Sequence, residues 1–166
     1  MSKRLTEKRI LNITLFYLSQ YESSTEKVRS LLKRRLRRMA MQGEEIPPEA
    51  NEWIETAIQK ATSLSYLDDM RYAENQVHNL VGQGKSEHFI VMKLSQAGID
   101  PKTIRQLIEA TETTEEERAR HFAQRKRLGP YRDKNREAYR EKDMAALARA
   151  GFSYDTVITI LNDCND

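Results

Sequence analysis

Apolar residues recur every three or four positions along most of the chain, a spacing that predicts amphipathic α-helices. The pattern is clearest over residues 66–108, where it predicts three short helices. At the start of the first helix, Asp68 supplies a capping oxygen, and Leu67 and Tyr72 have the spacing of a hydrophobic staple around it. The apolar face then continues until Gly82, where the first helix is predicted to end.

The two helices that follow carry their own start and stop signals. Ser86 is predicted to cap the first of them, and Gly98 to end it in the left-handed conformation that glycine adopts readily. Asp100 and Pro101 then supply a cap and a proline at the first position of the next helix. The whole stretch therefore predicts a helical triplet.

The same signals recur at both ends of the chain. Near the C-terminus the order seen at residues 98–104 returns as Gly151, Phe152, Ser153 and Val157. Near the N-terminus a serine and two apolar residues repeat the spacing of the second helix of the central triplet, as Ser24, Val28 and Leu32. Such recurrence indicates one helical unit used three times. We predict a frayed N-terminus over residues 1–9 and repeats over residues 10–65, 66–112 and 113–166.

The remaining segments also show helical periodicity. Residues 10–21 carry a wide apolar face that includes Phe16. Ser23 and Glu26 have the spacing of a capping box, which predicts a second helix from near Ser24, and a similar pair lies at the start of the helix near residue 114. No segment alternates strictly between apolar and polar residues, so we predict an all-α protein of about nine helices.

Charge is distributed unevenly along the chain. Charged residues make up 32% of it and apolar residues 39%, a low share that fits an elongated array of repeats better than a sphere. The net charge is +3, yet residues 24–42 hold seven basic residues and one acid, and residues 118–142 hold ten basic residues and three acids. Acids dominate residues 43–69 and 109–117. Such blocks create strong local fields.

Few residues indicate an enzyme. His78, His88 and His121 are scattered, and none lies at metal-ligand spacing from another histidine or a cysteine, so we interpret them as surface or boundary residues. Asp68 and Asp69 are adjacent, but a helix cap and a favourable interaction with the helix dipole account for both. The glycine motifs that bind nucleotide phosphates are missing from the sequence. We expect no catalytic residue, no cofactor and no metal.

The single cysteine and the lack of long apolar runs bear on the compartment. Cys164 cannot form an internal disulfide, which is compatible with a reducing cytosol. No apolar run approaches the length of a membrane span, and the N-terminus lacks the apolar region of a signal peptide. We therefore expect a soluble, cytoplasmic protein. As a separate expectation, we take the chain to be a monomer.

The two basic blocks are the strongest functional signal. Almost no acids are interleaved within the first, so repulsion between like charges works against the isolated helix, and a polyanionic partner would relieve it. The candidate residues for binding a partner or a nucleic acid are Lys33, Arg34, Arg35, Arg37, Arg38, Lys85, Lys93, Arg125, Lys126, Arg127, Arg132, Lys134 and Arg136. Aromatic residues near these blocks are few along the sequence, which argues against stacking of single-stranded bases. No helix-turn-helix follows either block, which argues against sequence-specific reading of DNA.

Three strings in the sequence resemble those of the RecX family, the bacterial regulators of the RecA recombinase. They are Y-L-D-D-M-R-Y-A at 66–73, G-I-D at 98–100 and A-G-F-S-Y-D at 150–155. The signature positions are Leu67, Asp68, Asp69, Arg71, Tyr72, Ala73, Gly98, Ile99, Asp100, Gly151, Phe152, Ser153 and Tyr154. The resemblance covers most of residues 10–162. The chain departs from the family pattern at Lys27, Ser65 and Ala150, where an acid, a glycine and an arginine are usual.

The resemblance implies an elongated, curved array of right-handed type, built from three tandem three-helix repeats, that binds RecA filaments along their groove. It also implies a regulator without enzymatic activity, which limits filament growth, ATP hydrolysis by RecA and strand exchange, and so modulates recombination, DNA repair and the SOS response. On this interpretation the basic blocks share one face and contact the filament, and they could also contact its DNA. Two alternatives stay open: a helical protein that binds single- or double-stranded DNA or RNA without sequence preference, and an enzyme whose site the sequence does not reveal.

Overall fold

The computed structural model describes residues 5–163. Within this range the regular structure consists of nine α-helices and one short 3₁₀-helix, without a strand. The α-helices are α1 (Glu7–Gln20), α2 (Thr25–Met41), α3 (Ala50–Ser63), α4 (Asp69–Gly82), α5 (Glu87–Gln96), α6 (Pro101–Glu109), α7 (Glu115–Lys126), α8 (Arg136–Arg149) and α9 (Tyr154–Asn162), with the 3₁₀-helix at Gly129–Tyr131. The predicted all-α class is confirmed.

Local capping interactions begin most helices where the sequence predicted them. Asp68, Ser86 and Asp100 each accept a hydrogen bond from the backbone amide three residues further on, at 3.0, 3.1 and 3.0 Å. Thr114 and Glu117 form a capping box, with reciprocal bonds of 2.8 and 3.1 Å. Each of these bonds satisfies an amide that the helix itself leaves unpaired, so the starts of α4, α5, α6 and α7 are encoded locally.

The start of α2 differs from the prediction in one respect. Ser24, not Ser23, caps the helix, because its hydroxyl accepts a hydrogen bond from the Lys27 amide at 3.3 Å. The Ser23 hydroxyl is buried and has no hydrogen-bond partner among residues 5–163. Glu26 pairs with Arg29 at 2.7 Å, so the predicted capping box of Ser23 and Glu26 is wrong.

The chain is ordered closer to its N-terminus than predicted. Thr6 caps α1 by accepting a hydrogen bond from the Arg9 amide at 3.2 Å, and Leu5 is buried. Helix α1 therefore begins within residues 1–9, the segment predicted to be frayed, because an apolar anchor and a cap precede it. Residues 1–4 lie outside the described range, as does Cys164.

The wide apolar face predicted for α1 is confirmed in part, since Leu18 is buried and Leu11, Ile13 and Leu15 pack against the core of the first unit. The buried residues of α1 are Ile10, Thr14 and Leu18, and the Thr14 hydroxyl donates to the Ile10 carbonyl at 2.9 Å. Phe16 is 72% exposed, so its predicted place on the buried face is wrong. The helix carries apolar residues on more than one side, and periodicity alone did not distinguish the stripe that packs.

The chain folds into two compact units, of which the first ends at Tyr72 and the second begins at Ala73. In the first unit, α3 packs against both α1 and α2. Its core includes Val28, Leu32, Leu36 and Met39 from α2 and Ala50, Ile54, Ala57, Ile58 and Ala61 from α3. The predicted division into repeats over residues 10–65, 66–112 and 113–166 stays a prediction.

The second unit contains α5 packed on α6, and α9 packed on α7 and α8. Its C-terminal core is formed by Ala119, Ala123, Leu128, Leu147, Phe152, Val157, Ile160 and Leu161. Gly98 and Gly151 have φ angles of 83° and 93°, the left-handed conformation predicted for the residues that end α5 and α8.

Candidate partner-binding surface

Helix α2 presents five basic side chains to solvent, which we call the α2 basic surface. They are Lys33, Arg34, Arg35, Arg37 and Arg38, and all five are exposed. They lie there because the apolar stripe of α2 is buried against α3, so the residues between the stripe positions must face outward. Among residues 5–163, no acidic side chain forms an ion pair with any of the four arginines. Their charge is therefore available to a partner.

The basic residues in the first half of α2 are already engaged. The Lys27 ammonium donates to the Tyr72 hydroxyl at 3.2 Å. The Arg29 guanidinium donates to Glu55 at 2.7 and 3.0 Å and to Glu26 at 2.7 Å. The bonds to Glu55 and then to Glu26 raise the pKa of Arg29 above its ordinary value. The uncompensated charge of this helix is thus concentrated in its second half.

A groove of about 430 Å³ lies between α1 and α2. Its α2 wall carries Arg34, Arg35 and Arg38. The other lining residues are Ile13, Phe16, Tyr17, Gln20, Tyr21 and Leu31. The expectation that aromatic residues near the basic blocks are few is therefore wrong for α2. The aromatic residues come from a neighbouring helix, and only the packing of α1 beside α2 brings them together with the arginines.

One predicted binding residue of the second basic block has a structural partner. The Arg132 guanidinium donates to the two carboxylate oxygens of Asp143 at 2.6 and 3.1 Å, and the Gly129 amide donates to the same carboxylate at 2.8 Å. Burial raises the pKa of Asp143, but the hydrogen bonds from Arg132 and Gly129 outweigh burial and hold the pKa below its usual 3.8. Arg132 also lies 4.3 Å from the centroid of the Tyr139 ring. This arginine holds the α7–α8 connection to α8.

The other basic residues of this block differ in how far their side chains are free to contact a partner. Arg125 donates to the Gln83 carbonyl at 2.8 Å, and Arg136 donates to the Arg132 carbonyl at 2.9 Å, although both side chains are exposed. Lys126, Arg127 and Lys134 are exposed as well. By contrast, Arg118 is buried, and desolvation lowers its pKa from the ordinary value. Fewer of the lysine and arginine side chains in this block are therefore available to a partner than the sequence indicated.

Lys85 and Lys93 both approach the ring of Phe89. Their ammonium groups are 4.9 and 6.0 Å from the centroid of the Phe89 ring, within the range of cation–π contacts. This small basic patch lies in the second unit, at and just before α5. Its role as a binding site stays a prediction, as does the expectation that the two basic blocks share one face.

The string around residue 68 holds the starts of two helices together. Leu67 and Tyr72 are both buried, as a hydrophobic staple requires. The Asp69 carboxylate accepts a hydrogen bond from the Thr25 amide at 2.7 Å, so it binds the first turn of α2. The Arg71 guanidinium donates to the Ser65 carbonyl at 3.2 Å. A helix-dipole interaction alone, as inferred from the sequence, is therefore an incomplete account of Asp69.

The string around residue 151 contacts the start of α5. The Ser86 hydroxyl donates to the Ala150 carbonyl at 2.6 Å. A Cβ atom on Gly151 would lie 2.6 Å from the Ser86 hydroxyl oxygen, so the positive φ and the close approach both require glycine. Ser153 then caps α9 and donates to Glu115 at 2.8 Å.

Comparison with known proteins identifies the family of the chain. It is 37% identical over 148 residues to the regulatory protein RecX of Myxococcus xanthus (strain DK1622), a match that covers 86% of this chain and 79% of that protein. The chain belongs to the RecX family. No family model matches it.

Two solved RecX structures have the same fold. One is a crystal structure of a regulatory protein RecX, with a TM-score of 0.69 and 22% identity, covering 95% of this chain and 73% of that chain. The other is RecX from Lactobacillus salivarius, with a TM-score of 0.63 and 24% identity, covering 93% and 94%. The resemblance that the signature strings carried is thereby confirmed.

The signature strings of this RecX-family chain serve its architecture. Asp69 and Tyr72 join α4 to α2, and Gly151 permits the contact with the start of α5. The strings that identify the family are therefore distinct from the exposed arginines of the α2 basic surface.

The surroundings of His88 and His121 differ. His88 lines an open cavity of about 480 Å³ together with Glu87, Arg105 and Glu115, whereas His121 lies beside Gly84. Over residues 5–163 there is no cluster of three or more histidine, cysteine, aspartate or glutamate side chains able to hold a metal ion. Nor does any described helix combine the length and the apolar character needed to cross a membrane.

Proposed function

We propose that the chain is a regulator of RecA that binds RecA nucleoprotein filaments and limits their extension, their ATP hydrolysis and strand exchange. It acts by contact, without catalysis, as a cytoplasmic monomer. On this proposal its effect modulates recombination and DNA repair.

Membership of the RecX family is the observation that carries the proposal. The α2 basic surface supports it, because four exposed arginines without an acidic partner suit a polyanionic assembly. Lys85, Lys93, Lys126, Arg127 and Lys134 are further candidate contacts. We also propose that the three predicted helical triplets act as successive binding modules.

The proposal is tested by titrating the full chain into RecA that hydrolyses ATP on single-stranded DNA. We expect substoichiometric amounts to slow hydrolysis, since a regulator that limits extension acts at few points on each filament. The control measures binding of the chain to the same DNA without RecA. Unchanged hydrolysis together with ordinary DNA binding would contradict the proposal and favour the alternative, a nucleic-acid-binding protein unrelated to RecA.

A charge-reversal pair tests the role of the α2 basic surface. Arg34→Glu with Arg38→Glu replaces two exposed arginines one helical turn apart. Lys8→Glu with Lys60→Glu is the matched control, since it changes the charge of the same unit equally at exposed positions outside α2. We expect the α2 pair to weaken inhibition of RecA strongly, the control to retain it, and both to keep wild-type helicity by circular dichroism. Full inhibition by the α2 pair would exclude this surface.

A further inference from the structure

The groove between α1 and α2 combines features that the filament contacts proposed above do not need. We propose that it binds an amphipathic helix of a partner protein, with the apolar stripe of that helix in the groove and its acidic side chains along one flank. The inference rests on the proposed function in one respect, because both assign the arginines of the α2 basic surface to a partner. The partner helix inferred here need not belong to RecA.

The shape of the first unit leaves space for one more helix. Helix α3 packs against both α1 and α2, whereas α1 and α2 contact each other much less. The groove between them is lined by residues of α1, of α2 and of the turn after α1, and no described residue of α3 lines it. A helix in this groove would contact both α1 and α2, the arrangement by which helical bundles bury an apolar face.

The lining of the groove favours apolar side chains as its occupants. Phe16 is 72% exposed and Tyr21 is 61% exposed, although both belong to an aromatic type that proteins usually bury at least in part. Ile13 and Leu31 add aliphatic surface. The rings of Phe16, Tyr17 and Tyr21 offer flat faces, whereas Ile13 and Leu31 do not, so the lining as a whole suits the leucine or phenylalanine anchors of a protein helix better than a row of stacked bases.

Charge is confined to one wall of the groove. Arg34, Arg35 and Arg38 line the α2 wall, and no acidic residue among those described forms an ion pair with them. The α1 wall carries only uncharged residues at the groove. Arg34 and Arg38 are separated by about 6 Å along the helix axis, which matches carboxylates four residues apart on a partner helix. The complementary ligand is therefore acidic on one flank only.

The test uses a synthetic, fluorescein-labelled peptide of about 18 residues, long enough to form five helical turns. Its leucines recur at positions i, i+4, i+7 and i+11, and its glutamates lie on one side of that stripe. The comparison ligands are a scrambled peptide of the same composition, a peptide with lysine in place of glutamate, and labelled oligothymidylate. Binding to the full chain is measured by fluorescence anisotropy without RecA.

We expect the designed peptide to bind about tenfold or more tightly than the scrambled and lysine peptides. Phe16→Ala with Tyr21→Ala should reduce its affinity to the level of the scrambled peptide and leave oligothymidylate binding unchanged. Tyr154→Ala, which removes an aromatic side chain that is 70% exposed in the second unit, should change neither affinity.

Two results would overturn the inference. One is equal binding of the designed and scrambled peptides, which would show that the groove does not select a helical apolar stripe. The other is loss of oligothymidylate binding in Phe16→Ala with Tyr21→Ala, which would make the groove a nucleic-acid site. Because RecA is absent from this assay, failure of the inference is distinguishable from failure of the proposed function in the ATP hydrolysis assay.

Discussion

Replacement of the buried Asp143 carboxylate gives the most direct test of the contacts in the second unit. The carboxylate is 1% exposed and accepts two hydrogen bonds from Arg132 and one from the Gly129 amide. Asp143→Asn preserves the shape of the side chain but removes its charge. It also places an amide NH₂ opposite groups that are themselves donors, so some of them lose their acceptor.

The expected cost follows from this geometry. Removal of one partner of a buried charged pair costs about 3–5 kcal/mol, and leaving a buried donor without a partner costs about 1–3 kcal/mol. The side chain of Arg132 is 25% exposed, so water can hydrate it after the substitution. We therefore take the lower end of the first range and expect Asp143→Asn to lower the free energy of unfolding by about 3 kcal/mol at neutral pH.

Urea denaturation followed by circular dichroism measures this cost. Asp133→Asn is the control, because Asp133 is exposed and lies in the same connection between α7 and α8. A cost for Asp143→Asn within about 0.5 kcal/mol of the control would refute the structural role of the pair. In a double variant that also carries Arg132→Met, we expect a loss smaller than the sum of the two single losses, because the two side chains share one interaction.

The pH dependence of the same variant has a defined sign. The folded-state pKa of Asp143 lies below its ordinary value of 3.8, so the carboxylate contributes stability above that pH and loses the contribution as the pH falls through the folded-state pKa. We expect the difference in stability between wild type and Asp143→Asn to be constant near neutral pH and to shrink below 3.8. A difference that grows on acidification would contradict this sign.

Two further stability predictions follow from backbone and capping geometry. Gly84→Ala should destabilise the chain by about 2–4 kcal/mol, because φ is +70° and the new Cβ would lie 2.9 Å from the Arg118 carbonyl oxygen. The control Gly43→Ala, at φ +80° in open space, should cost only about 1 kcal/mol. Equal losses of stability for the two variants in urea denaturation would contradict the predicted clash at Gly84. Glu115→Gln should cost about 1 kcal/mol in the same assay, because the carboxylate accepts hydrogen bonds from the amide and hydroxyl of Ser153, and an unchanged midpoint would exclude this link between α7 and α9.

The sequence predicted the helix starts better than the helix faces. Asp68, Ser86, Asp100 and Thr114 cap their helices as expected, because a cap joins a side chain to a backbone amide only three residues away. The buried stripe of α1 was not predictable in the same way. Several of its faces are apolar, and the packing of α3 determines that Phe16 stays exposed.

The candidate surface was predictable only in its charge. The excess of arginine in α2 is visible in the sequence, and the exposure of those side chains follows from the apolar stripe beside them. Which cations are free was not visible, since Arg29 pairs with Glu55, 26 residues away, and Arg132 with Asp143, 11 residues away. The aromatic side of the groove likewise depends on the packing of α1 beside α2.

The growth rate of RecA filaments on single-stranded DNA, observed on individual molecules, tests the central claim most directly. With substoichiometric wild-type chain, we predict that extension slows or stops, that Arg34→Glu with Arg38→Glu restores most of the growth rate, and that Lys8→Glu with Lys60→Glu does not. Filaments that extend at the same rate with and without the wild-type chain would contradict the account.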